Sequence, residues 1–168
     1  VNADQTDIPS AEPRWLTSDE MDAWLPLARI LTKLPAALDA QLRRDAGMSH
    51  FEYFVIAMLS EAPGRVLRMS DLAERTSSSL SRLSHVVTRL EQRGWARREA
   101  CPDDGRYTNA LLTDAGWNKI VASAPGHVET VRHLVIGVLT ADELKSLRDI
   151  GESILDRVNS ELAGGTRE

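Results

Sequence analysis

The sequence predicts a mainly α-helical α+β chain in which long helices towards both ends flank one small β-hairpin. Three observations carry that expectation. Thr17-Ser18-Asp19-Glu20, Ser49-His50-Phe51-Glu52 and Thr140-Ala141-Asp142-Glu143 each have the Ser/Thr-x-x-Glu form that opens a helix, because its two side chains satisfy backbone N–H groups that lack helical partners. After each box, apolar residues recur at three- and four-residue steps, the period of one helix face. One pair of strand-like segments, 95–101 and 107–112, encloses Pro102-Asp103-Asp104-Gly105, whose residues favour a tight turn.

The first helix carries a seam of Met21, Trp24, Ala28, Leu31, Leu38 and Leu42, with Pro35 in its one missing position. Pro26 and Pro35 each remove a backbone donor and are expected to bend this helix, stopping short of breaking it. Such a seam fits the core of its own chain and the helix of a second copy equally well. The second helix turns Phe51, Phe54, Val55, Met58 and Leu59 inward and ends at Ala62-Pro63-Gly64. Val66 to Met69 then reads as a short strand, with Ser70 as cap of a short helix over 71–75. Ser77-Ser78-Ser79 forms a turn whose last residue caps the next helix, with Leu83, Val86, Val87 and Leu90 on its inner side and Gly94 at its end. Thr113 caps a long helix that Pro125-Gly126 should kink or break before the pattern resumes over 128–138. From the third capping box, Leu144, Leu147, Ile154, Leu155, Val158 and Leu162 line one side of a last helix. The expected organisation is a single domain over 1–168: a flexible arm at 1–16, assembly helices at 17–48 and 114–163, and a lobe at 49–112.

Composition narrows the function. With 42% hydrophobic and 27% charged residues the chain resembles a globular domain with a real core. No apolar run approaches the roughly 20 residues that span a bilayer, and the first 15 residues lack the basic-then-apolar order of a secretory leader. A single cysteine, Cys101, makes no internal disulfide and fits a reducing cytoplasm. An enzyme is disfavoured, and no cofactor or metal is expected. There is no Gly-rich phosphate loop, no zinc-binding His-Glu-x-x-His and no nucleophile elbow, while Asp103-Asp104 and Asp142-Glu143 have turn and capping roles. Net charge is −5, yet residues 64–110 hold nine arginines against six acids. That local excess of three positive charges leaves eight net negative charges elsewhere, so one face suits phosphate while the rest keeps the protein soluble.

The basic segment coincides with a recognisable arrangement. A short helix, a serine-rich turn, a second helix with Ser81, Arg82, Ser84, His85, Thr88 and Arg89 outside its apolar face, and a hairpin directly after it make a winged helix-turn-helix, which places its second helix in the major groove of duplex DNA. Ser79 and Ser81 offer neutral donors to phosphates; Arg82 and His85 are candidates for base and backbone contact. Arg106 at the hairpin tip suits a narrow minor groove, and Asp104 suits organisation of the wing by a charged hydrogen bond. Arg89, Arg93, Arg97 and Arg98 divide between phosphate contact and internal ion pairs in a way the sequence does not apportion. The same fold also serves protein–protein contact, which the basic middle disfavours.

Leu72-Ala73-Glu74-Arg75, Ser79-x-Ser81, Arg89-Leu90-Glu91-Gln92-Arg93-Gly94 and Asp104-Gly105-Arg106 followed by Leu112-Thr113 resemble the MarR (multiple antibiotic resistance regulator) family. The resemblance implies a DNA-binding transcriptional regulator, with repression the expected sense, acting as a homodimer on a pseudo-palindrome. By it, 80–93 is the recognition helix, Asp104 and Arg106 shape and deliver the wing, and Ser79, Ser81, Arg82, His85 and Arg89 complete the DNA-facing set. Gly105 stands where many relatives carry a further basic residue, which weakens wing contact or loosens its tip. The family's members often bind small aromatic or phenolic effectors, for which Trp24, His50, Phe54 and Trp95, with Trp117, are candidate lining residues. Core packing is the competing and simpler account of each. Cys101 as a redox sensor is a further alternative, set against an inert thiol at the base of the wing.

Overall fold

A computed structural model describes residues 13–102 and 104–164. The order of elements is α1 (Ser18–Ala46), α2 (His50–Glu61), β1 (Val66–Arg68), α3 (Met69–Arg75), α4 (Leu80–Gln92), β2 (Ala96–Ala100), β3 (Thr108–Leu112), α5 (Asp114–Leu134) and α6 (Ala141–Gly164), with 3-10 turns at Pro63–Arg65 and Ile136–Val138. Most of the expected arm, residues 1–12, lies outside the described residues. The chain divides into two compact units, one ending at Ala36 and one beginning at Ala37, and α1 contributes to both.

In the first unit α1 opens as its capping box requires. The Thr17 N–H donates to Glu20 Oε2 at 2.8 Å and the Glu20 N–H donates to Thr17 Oγ1 at 3.3 Å. The helix continues through Pro26 and Pro35, since proline holds φ near the helical value and each ring removes one donor. Met21, Trp24 and Leu31 of the seam are exposed there.

The second unit is built around one apolar core. Leu42, Val55, Ile56, Leu59, Leu72, Leu83, Val87, Leu90 and Ala110 are fully buried in it, drawn from α1, α2, α3, α4 and β3. Each buried Leu, Ile or Val side chain is worth roughly 1.5–3 kcal/mol of transfer free energy, so the inner face of α4 alone anchors that helix firmly. The hairpin forms as expected, with Ala96 opposite Leu112 and Ala100 opposite Thr108. β1 adds a third antiparallel strand against β3, giving the order β1-β3-β2. Ser70 is not the cap of α3. β1 runs straight into the helix, whose first residue Met69 is buried; Arg68 takes the cap position without a side-chain bond, and Ser70 Oγ donates to Asp71 Oδ1 at 2.9 Å.

α5 is seated on the end of α4. Thr113 Oγ1 accepts from the Gly116 N–H at 3.0 Å and donates to Gly94 O at 2.6 Å, while the Thr113 N–H donates to Trp95 O at 3.1 Å. Gly116 lets the two backbones approach this closely. A Cβ there would stand 2.0 Å from Trp95 O. Pro125 does not break α5, which runs on to Leu134 and is capped by Val135 before the 3-10 turn. The third capping box opens α6, with the Thr140 N–H donating to Glu143 Oε2 at 2.7 Å. Leu147, Ile150, Ile154, Leu155 and Val158 of α6 are exposed, as is Leu162.

Candidate nucleic-acid interface

The turn before α4 is tight because its polar groups are consumed locally. Thr76 Oγ1 donates to Leu72 O at 2.7 Å, the Ser78 N–H donates to Ala73 O at 2.9 Å, and Ser77 takes the left-handed conformation at φ 47°. Ser79 then caps α4 by accepting from the Arg82 N–H at 3.2 Å. With Leu83, Val86, Val87 and Leu90 buried, Ser81, Arg82, Ser84, His85, Thr88 and Arg89 are left exposed on the outer side. The helical period forces this outcome.

Two clefts flank that exposed side. The first is lined by Asp39, Arg43, Ser49 and Phe51 together with Ser79, Ser81, Arg82, His85, Val86 and Arg89, so it gathers five of the DNA-facing candidates. Arg82 lays its guanidinium over the Phe51 ring at 4.4 Å. Arg89 Nε donates to Glu52 Oε1 at 3.1 Å, and Arg93 Nη1 donates to Gly47 O at 2.9 Å and stands 3.8 Å from Glu52 Oε2. Burial alone would raise the Glu52 carboxyl. The Ser49 N–H, the Arg89 side chain and the Arg93 charge outweigh it and hold the pKa below the usual carboxylate value.

The second cleft lies on the wing side, lined by Arg68, Ser70, Leu80, Ser84, Arg98, Arg106, Tyr107 and Thr108 among others. Arg98 spans it. Its Nη2 donates to Ser84 O at 2.6 Å, Ser84 Oγ at 3.3 Å and Thr88 Oγ1 at 3.1 Å, while its Nη1 and backbone N–H donate to the two Glu91 carboxylate oxygens at 2.7 and 2.9 Å. One β2 residue thus fastens the hairpin to both halves of α4. At the tip, Asp104 accepts from Arg106 through Nε, Nη2 and the backbone N–H. The Arg106 side chain, then its N–H, lowers the Asp104 pKa, and Asp104 raises that of Arg106. Arg97 pairs with Glu99 on the same strand.

Residues 46–106 match the family model described as MarR family. Sco3205, a MarR family transcriptional regulator from Streptomyces coelicolor solved in complex with DNA, is 46% identical, with a TM-score of 0.84 over 86% of this chain and 91% of that one. The chain belongs to the MarR family. AbsC, a second MarR regulator from Streptomyces coelicolor, is 36% identical, with a TM-score of 0.85 over 88% of this chain and 99% of that one. The transcriptional regulator PecS of Dickeya dadantii is 30% identical over 138 residues, 81% of this chain and 79% of that protein. These relatives are transcriptional regulators; this MarR chain is one too, and not an enzyme.

The effector candidates of this MarR chain occupy different surroundings. Trp24 is exposed in the first unit. In the second, Phe54 is half-buried on α2, and half-buried His50 faces His127 of α5, their ring centroids 5.7 Å apart. His127 is buried, 4.4 Å from the Tyr53 ring and 3.3 Å from Gln41 Oε1 through its Nδ1. Burial lowers the pKa of both imidazoles, and His50 lowers that of His127 further. Trp95 packs against the core with Arg93 and Lys119 over its ring, and Trp117 does so beneath Arg65. Cys101 is buried at the wing base, its N–H donating to Tyr107 O at 2.9 Å. Among the described residues no group of three His, Cys, Asp or Glu side chains is placed to hold a metal, and no helix is long and apolar enough to cross a membrane. Sequence reasoning missed Arg68, which lies over the Tyr107 ring at 4.9 Å beside the wing. Only the pairing of Arg68 with Asn109 across β1 and β3 brings it there, and no local pattern announces that register.

Proposed function

We propose that this MarR-family regulator binds duplex DNA as a homodimer and represses transcription by covering the promoter it occupies. One observation carries the reading: Ser79, Ser81, Arg82 and His85 share the exposed side of a helix whose opposite side is locked in the core, with Arg106 on a wing tied to the same helix. α4 would enter the major groove with Arg82 and His85 towards base edges. Ser79 and Ser81 would hold phosphates, Arg106 would reach the minor groove, and Arg68 would follow the strand between. The 46% identity to a regulator solved in complex with DNA supports DNA as the partner.

The apolar row on α6 supports the dimer. Leu147, Ile150, Ile154 and Val158 recur at steps of three and four along a 24-residue helix and are exposed. A row about 17 Å long at 1.5 Å per residue is costly to leave in water, and a two-fold copy covers it with an identical row. Release by a small aromatic effector belongs to the same proposal, with the surroundings of His50, Phe54 and Trp95 as its candidate sites. The test is anisotropy of a labelled duplex, selected by the protein from random DNA, against salt concentration. Affinity should fall steeply with salt and drop with Arg82→Ala and with Arg106→Ala, while light scattering should give twice the chain mass. Binding indifferent to salt and to both substitutions would refute the DNA reading, and a monomer mass would refute the dimer.

A further inference from the structure

Arg89 stands one turn beyond His85 and two beyond Arg82 on the exposed side of α4, so position alone would give its charge to DNA. The structure gives it to a carboxylate instead. Glu52 is only 4% exposed and is fixed twice over: as the far member of the α2 capping box it accepts from the Ser49 N–H at 2.8 Å, and its other oxygen accepts from Arg89 Nε at 3.1 Å. Arg93 closes the cluster from the next turn, itself held by Gly47 O and stacked on Trp95. A buried, ionised acid beside a reading face lowers affinity for any polyanion, and a carboxylate needed only for capping could be a glutamine.

We propose that Glu52 is a specificity-determining residue of the DNA interface: by holding Arg89 it keeps that cation off the phosphates, so that affinity depends on what Arg82 and His85 read. Free cations on a reading helix strengthen binding to every sequence alike, because phosphate contact carries no sequence information. Sequestering one sacrifices affinity that cognate and non-cognate DNA share and preserves the difference between them. The inference rests on the DNA-binding reading above.

Glu52→Gln tests it, since glutamine still caps α2 while Arg89 loses its counter-charge. Affinity is read on the selected duplex and on a random-sequence duplex of equal length. If the wild-type protein binds neither in a salt-dependent way, the DNA reading itself fails. If it binds both, Glu52→Gln should steepen the slope of log affinity against log salt on the random duplex by about 0.9, equivalent to about eightfold tighter non-specific binding at 0.1 M salt, and should reduce the cognate-to-random ratio. Glu52→Gln with Arg89→Gln should restore the wild-type slope. An unchanged slope and ratio, a parallel loss on both duplexes, or a steepened slope that survives in the double variant each overturns the proposal. Should Glu52→Gln fail to fold, Arg89→Gln alone decides. Its slope on random DNA should equal that of the wild type, and a fall of about 0.9 would place Arg89 on phosphate and overturn the proposal.

Discussion

Gly116→Ala should destabilise the protein although it places the best helix former inside a helix. On an exposed helical site the exchange would gain about 1 kcal/mol. Here the new methyl group would lie 2.0 Å from Trp95 O, 2.9 Å from Trp95 C and 2.7 Å from Leu112 Cδ1. The leucine side chain can turn aside. The carbonyl cannot, because it accepts from the Thr113 N–H and Thr113 is itself bonded to Gly94 O. Relief therefore means moving the start of α5 by more than about 1 Å to reach ordinary contact distance. Overpacking of this kind costs about 1–3 kcal/mol, and a backbone obstacle places it at the upper end. After the helix gain is subtracted, about 2 kcal/mol of stability should be lost, which for a chain of this size lowers the melting temperature by about 4–8 °C. Urea unfolding by circular dichroism, at one protein concentration so that assembly contributes equally, reads the difference. Gly105→Ala is the control, since its Cβ meets nothing within 4 Å; it should stay within about 0.5 kcal/mol of wild type. A Gly116→Ala midpoint equal to or above wild type would refute the close-approach argument.

Three further outcomes are expected. Ser79→Ala removes the α4 cap and should cost about 1 kcal/mol in urea unfolding; an unchanged midpoint would mean that the 3.2 Å bond from the Arg82 N–H contributes nothing. Burial holds the His127 pKa below its ordinary value, so below about pH 6.5 the unfolded chain binds protons that the folded one refuses. Stability should therefore be complete above that pH and decline as pH falls through it, with His127→Asn flattening the decline between pH 7.5 and 5.5; equal slopes for both proteins would contradict this. Arg98→Met removes the side-chain bonds from β2 to α4 and should speed hydrogen exchange of the β2 and β3 amides while leaving α2 protected. Uniform protection would show that the strap is dispensable.

The parts of the fold that were legible were those with local causes. A capping box needs only four adjacent residues, so Thr17, Ser49 and Thr140 could be placed without knowing what their helices pack against. The serine cap of α4 and the 96–112 hairpin are local in the same sense. Pro125 misled because a missing donor signals a break only where the remaining helix cannot hold, and α5 is anchored at its start by Thr113 and Gly94. Ser70 misled because a capping residue type was present while burial of Met69 started the helix two residues earlier. At the interface, the outward side of α4 followed from its buried side. What those side chains touch did not: Glu52 and Arg89 are 37 residues apart and meet only once α2 and α4 pack.

The strap from Arg98 to α4 has a mechanical consequence. A wing free to swing could find the minor groove whatever the position of the reading helix, and the two contacts would be made in succession. With Ser84 O, Thr88 Oγ1 and Glu91 all gripped by one guanidinium and its own backbone, hairpin and helix form a caliper with a set opening. Docked as proposed, such a caliper measures the step from one groove to the next, and a duplex too stiff or too wide at that step is rejected at base pairs the protein never touches.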